Sequence, residues 1–485
     1  MSQLSFTQHG MWIAARMGAA TAYHMPIVIS LATAPDRSAL AKACAAVVER
    51  HPLLGSALRE SDGEPRLVPT AELPSLESAE SIEEVVTRPF DLGTGPLVRF
   101  ALVGEETLVV VAHHLVFDGH SKDLLVADLA AYYRGDTPAD LVHSDHVGAQ
   151  RERVAARLED AAGFWTGRWH EPTGTAVPGE VLHSRGAADA EVLEFPLEIP
   201  ALDGVTPFEV LVAAVHALLG SYGNPEVVTA LDLSTRTEAE SGHIGPYVNE
   251  LPLFSRPAAG TPFAEFAAQV RAELRELYRF REVPLARAVP GIRPHAALAP
   301  VSISYRRLPD APSPLGDVQW LAFNHSVRGV LQLQIAHGAQ GAVASLRHDP
   351  LELSDAGRFA DDLTRLLAAV AQEPGRPLGG LADFAAVPPQ SAGTSESSVP
   401  ASPAAAAAAA VSAGDPLVEE VRAIWEQVLE LAPIGLDDDI FDLGGHSLTI
   451  TQIVARMQQQ LGLEISLDDF FDNPTIAGVI AVIRR

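Results

Sequence analysis

Two stretches of this sequence set chemically competent residue types at close, defined spacing. Residues 109 to 121 read VVVAHHLVFDGHS: two adjacent imidazoles close an apolar run, and an Asp-Gly pair follows. Histidine suits proton transfer near neutral pH because its unperturbed pKa is about 6.5. On extended backbone His113 and His114 point to opposite sides, so one can face a cleft while the other is held within the structure. Asp118 followed by Gly119 lets the chain turn sharply back, and an aspartate buried there needs a cationic partner. No third ligand stands at helical or hairpin spacing nearby, which argues against a metal site. Taken alone, the same residues also read as two hydrogen-bonded structural histidines. The second stretch, DLGGHSL at 442 to 448, precedes a helical pattern, and its two glycines clear the approach to Ser447. A phosphodiester on that hydroxyl would sit at a helix N-terminus, where free amides and the dipole favour negative charge. A plain capping serine is the alternative.

Both stretches need elements to position them. Thr107 to Ala112 reads as a buried strand and Ser121 to Tyr133 as a helix, so the histidines lie on a strand-to-helix connection. Helical patterns recur at 36–50, 120–134, 207–222, 262–281 and 353–372, with strand-like runs at 25–31, 97–103, 106–112, 226–233, 299–305 and 331–336. The class is α/β or α+β, and a polar stretch near 170–190 joins two lobes. Residues 388–415 are rich in Pro, Ser and Ala with no amphipathic period, as in a linker. Beyond it, Asp415 and Pro416 open an amphipathic helix, a second runs from about Ser447 to Gln460 and stops at Gly462, a short turn occupies 467–471, and a last helix starts at Thr475. That makes 416–485 a small helical bundle.

The bulk numbers bound the partners. A chain of 485 residues suggests two to four domains. A formal charge of −28 would be repelled by nucleic acid or an anionic membrane, so neither is expected. The single cysteine, Cys44, lies in an apolar helical pattern and reads as a buried thiol. The N-terminus lacks signal-peptide texture and no apolar run reaches the ~18 residues of a membrane span, so a soluble cytoplasmic protein is expected.

HHLVFDG matches the HHxxxDG signature of condensation domains of nonribosomal peptide synthetases. LSFTQHGMW, AYHMP, VVERHPLLGSAL, PFDLGTGPLVRFAL, IGPYVNELPL and REVPL resemble that family's other motifs, in its order, across residues 1–387. The resemblance implies an α/β fold of two chloramphenicol-acetyltransferase-like lobes (about 1–175 and 176–387) in a V-shaped pseudodimer. A tunnel entered from two sides would meet the histidine motif at the lobe junction. By the same resemblance, His114 faces the tunnel and orients the attacking amine or takes its proton, and His113 is structural. Asp118 forms a salt bridge for which Arg236 is the best candidate, and Gly119 leaves space for a pantetheine arm. The chain departs from the pattern at Gly10 and Gly55, where the family usually has arginine, at Phe280-Arg-Glu282, and at Glu250, where Thr is common.

LGGHSL and FFDNPTIAGV resemble the peptidyl carrier motif and the end of that domain. This implies 4'-phosphopantetheine on Ser447, installed from coenzyme A by a phosphopantetheinyl transferase. The implied whole is a condensation-carrier didomain that joins an upstream acyl or peptidyl thioester to an amine held on its own carrier. The donor carrier is expected in trans, because the first motif begins a few residues after Met1. The adenylation domain or enzyme is also expected in trans, unless the chain is excised from a larger protein. Rival readings are a condensation-like domain that dehydrates or epimerises the tethered residue, and an inactive carrier-docking platform, against which the intact HHxxxDG speaks.

Overall fold

In the computed structural model, the described residues are all but 1, 17–20, 62–63, 143–144, 173–174, 179–186, 293–296, 382–414, 430–431, 437, 439, 441–442, 444–446 and 485. The expected linker therefore lies, except for Asp415, outside the described residues, as does part of the 170–190 stretch.

The first lobe is built on a five-stranded sheet in the order Gly316–Gln319, His24–Leu31, Thr107–His113, Val98–Val103, Leu76–Ala79. Its central strand runs from Leu108 to Ala112 without a polar side chain because both faces are covered, and all five residues are fully buried. The helices Arg37–Arg50 and Gly119–Tyr133 pack against each other on one face. Each begins at an aspartate whose carboxylate accepts from the first free amides: Asp36 from Ser38 and Ala39, Asp118 from Ser121. Cys44 is buried on the first of these helices, and burial pushes its thiol up to about 12.

The second lobe carries a six-stranded mixed sheet in the order Val248–Ser255, Val227–Ser234, Val301–Arg307, Leu331–Gly338, Gly341–His348, Glu191–Leu197. Side chains of the helices Pro207–Ser221, Phe263–Tyr278 and Ala356–Gln372 join those of the sheet in one apolar core. The helix Pro207–Ser221 starts with a reciprocal capping box between Thr206 and Glu209.

Two features cross the expected lobe boundary. The helix His146–Trp165 lies in the first half of the chain, yet its buried Val154, Ala161 and Trp165 belong to the second core. In the other direction, the short strand Gly316–Gln319 leaves the second half and pairs antiparallel with His24–Leu31, Gly316 opposite Leu31 and Gln319 opposite Val28. Its sequence, GDVQ, holds one apolar residue in four and carries no strand signature. The crossing segment is tied down from both sides. Lys122 Nζ donates to the carbonyls of Pro26 at 2.9 Å and Trp320 at 2.7 Å, and Arg347 donates to Ala322 O at 2.9 Å and Asn324 Oδ1 at 3.1 Å.

The C-terminal segment is helical: Pro416–Leu429, Ser447–Arg456 continued by a π turn Met457–Leu461, Leu467–Asp472 and Ile476–Ile483. Gly462 ends the second helix in the left-handed region at φ 65°. Thr475 caps the last helix by accepting from Gly478 N–H. These helices enclose a separate core in which Trp425 and Phe470 stack with centroids 5.4 Å apart. Among the described residues no helix is long and apolar enough to cross a membrane.

Because this core shares no fully buried side chain with the two sheets, damage to it stays local. Phe470→Ala removes a fully buried ring and is expected to cost about 3–5 kcal/mol. Amide hydrogen exchange should accelerate throughout 416–483 while protection of the six-stranded sheet stays at its wild-type level.

Candidate active site

The strand Thr107–His113 ends at the lobe junction, and its last residue and the next meet opposite fates. His113 is the final residue in register, paired with His24 on the neighbouring strand. Its ring is buried among Tyr23, His24 and Phe90, with centroids 6.0, 6.4 and 5.9 Å away, and its Nδ1 accepts from Leu115 N–H at 3.1 Å. Burial pushes its pKa down to about 3, helped by the neighbouring His24, His114 and Arg99. His24, whose Nδ1–H donates to Val86 O at 2.7 Å, is likewise lowered to about 4, chiefly by burial. Both rings are neutral at physiological pH.

His114 opens a 3₁₀ turn, His114–Val116, that swings it out of the sheet. Its Nδ1 is 2.6 Å from Phe117 O. Since a carbonyl only accepts, Nδ1 carries the proton and Nε2 keeps a lone pair. Burial also lowers its pKa below the usual value, partly opposed by the Phe117 carbonyl and Asp118.

Asp118 follows as the N-cap of the helix Gly119–Tyr133 and is almost fully buried. Arg236, on the loop after the strand Val227–Ser234, donates through Nη2 to both its oxygens, at 2.9 and 2.8 Å. Ser121 donates to it through both its N–H and its hydroxyl, each at 2.7 Å, and Tyr247 N–H donates at 3.0 Å. Arg236 Nη1 donates to the carbonyls of Glu240 and His243 at 2.5 and 2.6 Å, and the guanidinium lies 4.4 Å from the Tyr247 ring centroid. Gly119 borders a cavity, and a Cβ there would meet nothing within 4 Å.

Two cavities flank His114. The first, of about 210 Å³, is bordered by Phe6, Gly10, Tyr23, Asn249, Glu250 and Arg287 among others. The second, of about 370 Å³, is bordered by Met25, Gly119, Lys122, Tyr305, Arg306 and Trp320 among others. Ala22, His114, Asp232, Val248 and Gln332 line both, so they mark where the two meet. Of the two glycines that replace arginine, only Gly10 borders a cavity, with open space around it. Gly55 instead packs under the helix Arg37–Arg50, where a Cβ would come within 2.9 Å of Val48. Sequence reading missed Asp232 and Gln332 at the meeting point. For Asp232 a signal existed, the lone charged side chain in the largely apolar strand VVTALDLS. Among the described residues no His, Cys, Asp and Glu cluster could hold a metal ion.

Ser447 is the first residue of the helix Ser447–Arg456, but its side chain, and all of Gly444 to His446, lie outside the described residues. The backbone fits a phosphodiester, because the first amides of a ten-residue helix have no intrahelical acceptor.

Comparison with known proteins agrees with this architecture. The model of the condensation-domain family matches residues 1–295, and that of the phosphopantetheine attachment site matches residues 419–483. The chain is 28% identical over 441 residues to an isonitrile lipopeptide synthase of Mycobacterium tuberculosis, covering 78% of this chain and 18% of that protein. It is 27% identical over 338 residues to the phosphinothricin tripeptide synthetase PhsC of Streptomyces viridochromogenes, covering 61% of this chain and 31% of that protein. The chain thus spans less than a third of either relative. Among solved structures it is similar to the first condensation domain of the calcium-dependent antibiotic synthetase, with TM-score 0.67, 19% identity, and 79% of this chain and 99% of that one covered. It is equally similar to the condensation domain of the monacolin K polyketide synthase MokA, with TM-score 0.66, 19% identity, and 78% and 98% covered. These likenesses establish the two-lobed, chloramphenicol-acetyltransferase-like fold.

Two outcomes follow from the buried groups. Asp118→Ala strands the Arg236 charge among backbone carbonyls and is expected to cost about 3–5 kcal/mol, read as a lower melting temperature. The lowered pKa values of His24 and His113 stabilise the fold fully above the unfolded value of about 6.5, and that stability is lost as pH falls toward their folded values. Thermal melts should therefore show decreasing stability below pH 6.5, with a shallower slope for His113→Gln.

Proposed function

Since the chain belongs to the condensation-domain family and carries a phosphopantetheine attachment domain behind it, we propose that it forms an amide between an acyl or peptidyl thioester delivered by an upstream carrier in trans and an amine held on its own carrier. The observation that carries this reading is His114, whose Nε2 is left available where the two cavities meet. An acyl group entering by one cavity and an amine by the other come together beside that nitrogen. Burial lowers the pKa of His114 and favours its neutral form, in which it can accept a proton as the nitrogen adds to the thioester carbonyl and return it to the departing thiolate. Holding the two reactants in one tunnel supplies much of the acceleration. His113 and the Asp118–Arg236 pair act through His114, by fixing the strand end and the turn on which it stands.

On the carrier, Ser447 is the proposed attachment residue, and the bound 4'-phosphopantetheine supplies a flexible arm ending in the thiol that carries the acceptor. A phosphopantetheinyl transferase and an adenylation enzyme acting in trans would load it, in the cytoplasm where coenzyme A is available. Service in cis is supported by the carrier's position. Its helix Ser447–Arg456 lies against the helix Phe6–Arg16, whose Phe6 and Gly10 border the first cavity. Residues 388–415, as a flexible tether of 28 residues, would span about 30 Å root-mean-square and hold the carrier at high effective concentration.

Intact-protein mass spectrometry of the phosphopantetheinylated protein, with candidate amines on the carrier and candidate acyl groups on a separate donor carrier, tests the reading. The wild type should transfer the acyl group to the carrier-bound amine, and a folded His114→Ala protein should not; undiminished transfer would remove His114 from the mechanism. A low-micromolar mixture of His114→Ala and Ser447→Ala proteins should form product much more slowly than the intact chain. Equal rates would refute action in cis.

A further inference from the structure

Among the described residues that line both cavities, Asp232 is the one titratable counterpart of His114. Asp232, near the end of the strand Val227–Ser234, borders both, so the second lobe presents a carboxylate to the space that receives the first lobe's imidazole. Every element around Asp232 contributes to its state. Glu250 stands directly opposite in the antiparallel register, which puts two carboxylates on one sheet face at cross-strand distance. Ser304, on the parallel neighbour, hydrogen-bonds the Asp232 side chain. Arg328 lies 3.7 Å from Glu250 and 5.7 Å from the Tyr23 ring centroid, so its charge serves Glu250 and Tyr23 as well as Asp232. Asp118 and Arg236, which border the second cavity, satisfy each other. Burial, reinforced by Glu250, pushes the Asp232 pKa up to about 7.

We propose that Asp232 is a further catalytic residue: it binds the acceptor as an ammonium ion and takes the proton that must leave before the nitrogen can attack. This rests on the amide-forming reading above. The acceptor amine, with a free pKa of about 8, is mostly protonated at neutral pH and has no lone pair to offer. In the first transfer an N–H bond breaks and an O–H bond forms on Asp232, giving a neutral amine and a neutral carboxylic acid. The amine adds to the thioester carbonyl, and the second proton passes from nitrogen to His114 and on to the thiolate as the C–S bond breaks. Asp232 then loses its proton to solvent. Overall, an ammonium ion and a thioester become an amide, a thiol and one released proton. Burial, with Glu250 adding to it, raises the basicity of Asp232, which makes a carboxyl group a competent base for an ammonium ion near pH 7.

The test is the pH dependence of kcat/KM for a soluble aminoacyl-pantetheine acceptor and a carrier-bound acyl donor, between pH 6 and 9. Burial lowers the pKa of His114, which favours its neutral form, and neither variant below alters that residue. In the wild type the rate should fall on the acid side with an apparent pKa near 7. In Asp232→Asn, which keeps the side-chain shape, only the free neutral amine reacts. The acid limb should move to about 8, with roughly a tenfold loss at pH 7 that narrows above pH 8. Glu250→Gln removes the charge that raises Asp232, so its acid limb should move below that of the wild type. A structural role would instead lower the rate equally at every pH. An unmoved limb in both variants overturns the assignment. A wild type that forms no amide with any amine overturns the amide-forming reading itself, and the two failures are therefore distinguishable.

Discussion

The contact between Asp118 and Arg236 is the interaction on which the rest of the active-site geometry depends. It joins the start of a first-lobe helix to a second-lobe loop, and each partner also saturates the backbone around it. Asp118 takes the amides of Ser121 and Tyr247, while Arg236 takes the carbonyls of Glu240 and His243. A buried ion pair contributes little net stability, because desolvating two charges offsets most of their attraction. Its value lies in geometry, since displacing either lobe leaves a charge or several polar groups unsatisfied. The turn bearing His114 is anchored between this pair and the sheet.

Burial divides the labour of the histidines. His113 and His24 sit paired at the ends of two interior strands of the sheet, lose their basicity and become neutral packing elements with assigned hydrogen bonds. His114 departs from the strand by one residue, and its Phe117 contact fixes the tautomer that leaves Nε2 unprotonated. The same desolvation acts in the opposite sense on Asp232, since it disfavours whichever form is charged. Base-poor histidine and base-rich aspartate on facing lobes thus come from one physical cause.

The strand Gly316–Gln319 and the segment after it make the junction a shared structure. Lys122 holds Trp320 from the first lobe and Arg347 holds residues 321–324 from the second, so the wall of the larger cavity is built by both halves of the chain. The carrier is less integrated: its own core of Trp425, Phe470 and their neighbours is closed within the C-terminal segment, and among the described residues Leu467 also packs against the first-lobe core. A module that must present a tethered group needs that independence, whereas a tunnel wall needs the reverse.

Local interactions are what the sequence by itself determined. The apolar run Leu108–Ala112, the five long helices read from their periodicity, the stop at Gly462 and the cap at Thr475 depend on neighbours a few residues away. The structure places them within two or three residues of where the pattern does. The HHxxxDG and LGGHSL motifs were legible for the same reason, as contiguous residues, and they carried the family. The family resemblance named Arg236 as the partner of Asp118, 118 residues away, but the tertiary structure alone decided the geometry of their contact and that the helix His146–Trp165 packs into the second core. It also decided that GDVQ becomes a strand in the other lobe's sheet and that Asp232 meets His114's cavities. These contacts join segments far apart in the chain, and local pattern in neither segment specifies the other. The burial that lowers the pKa of His114 and raises that of Asp232 exists only once the chain has folded.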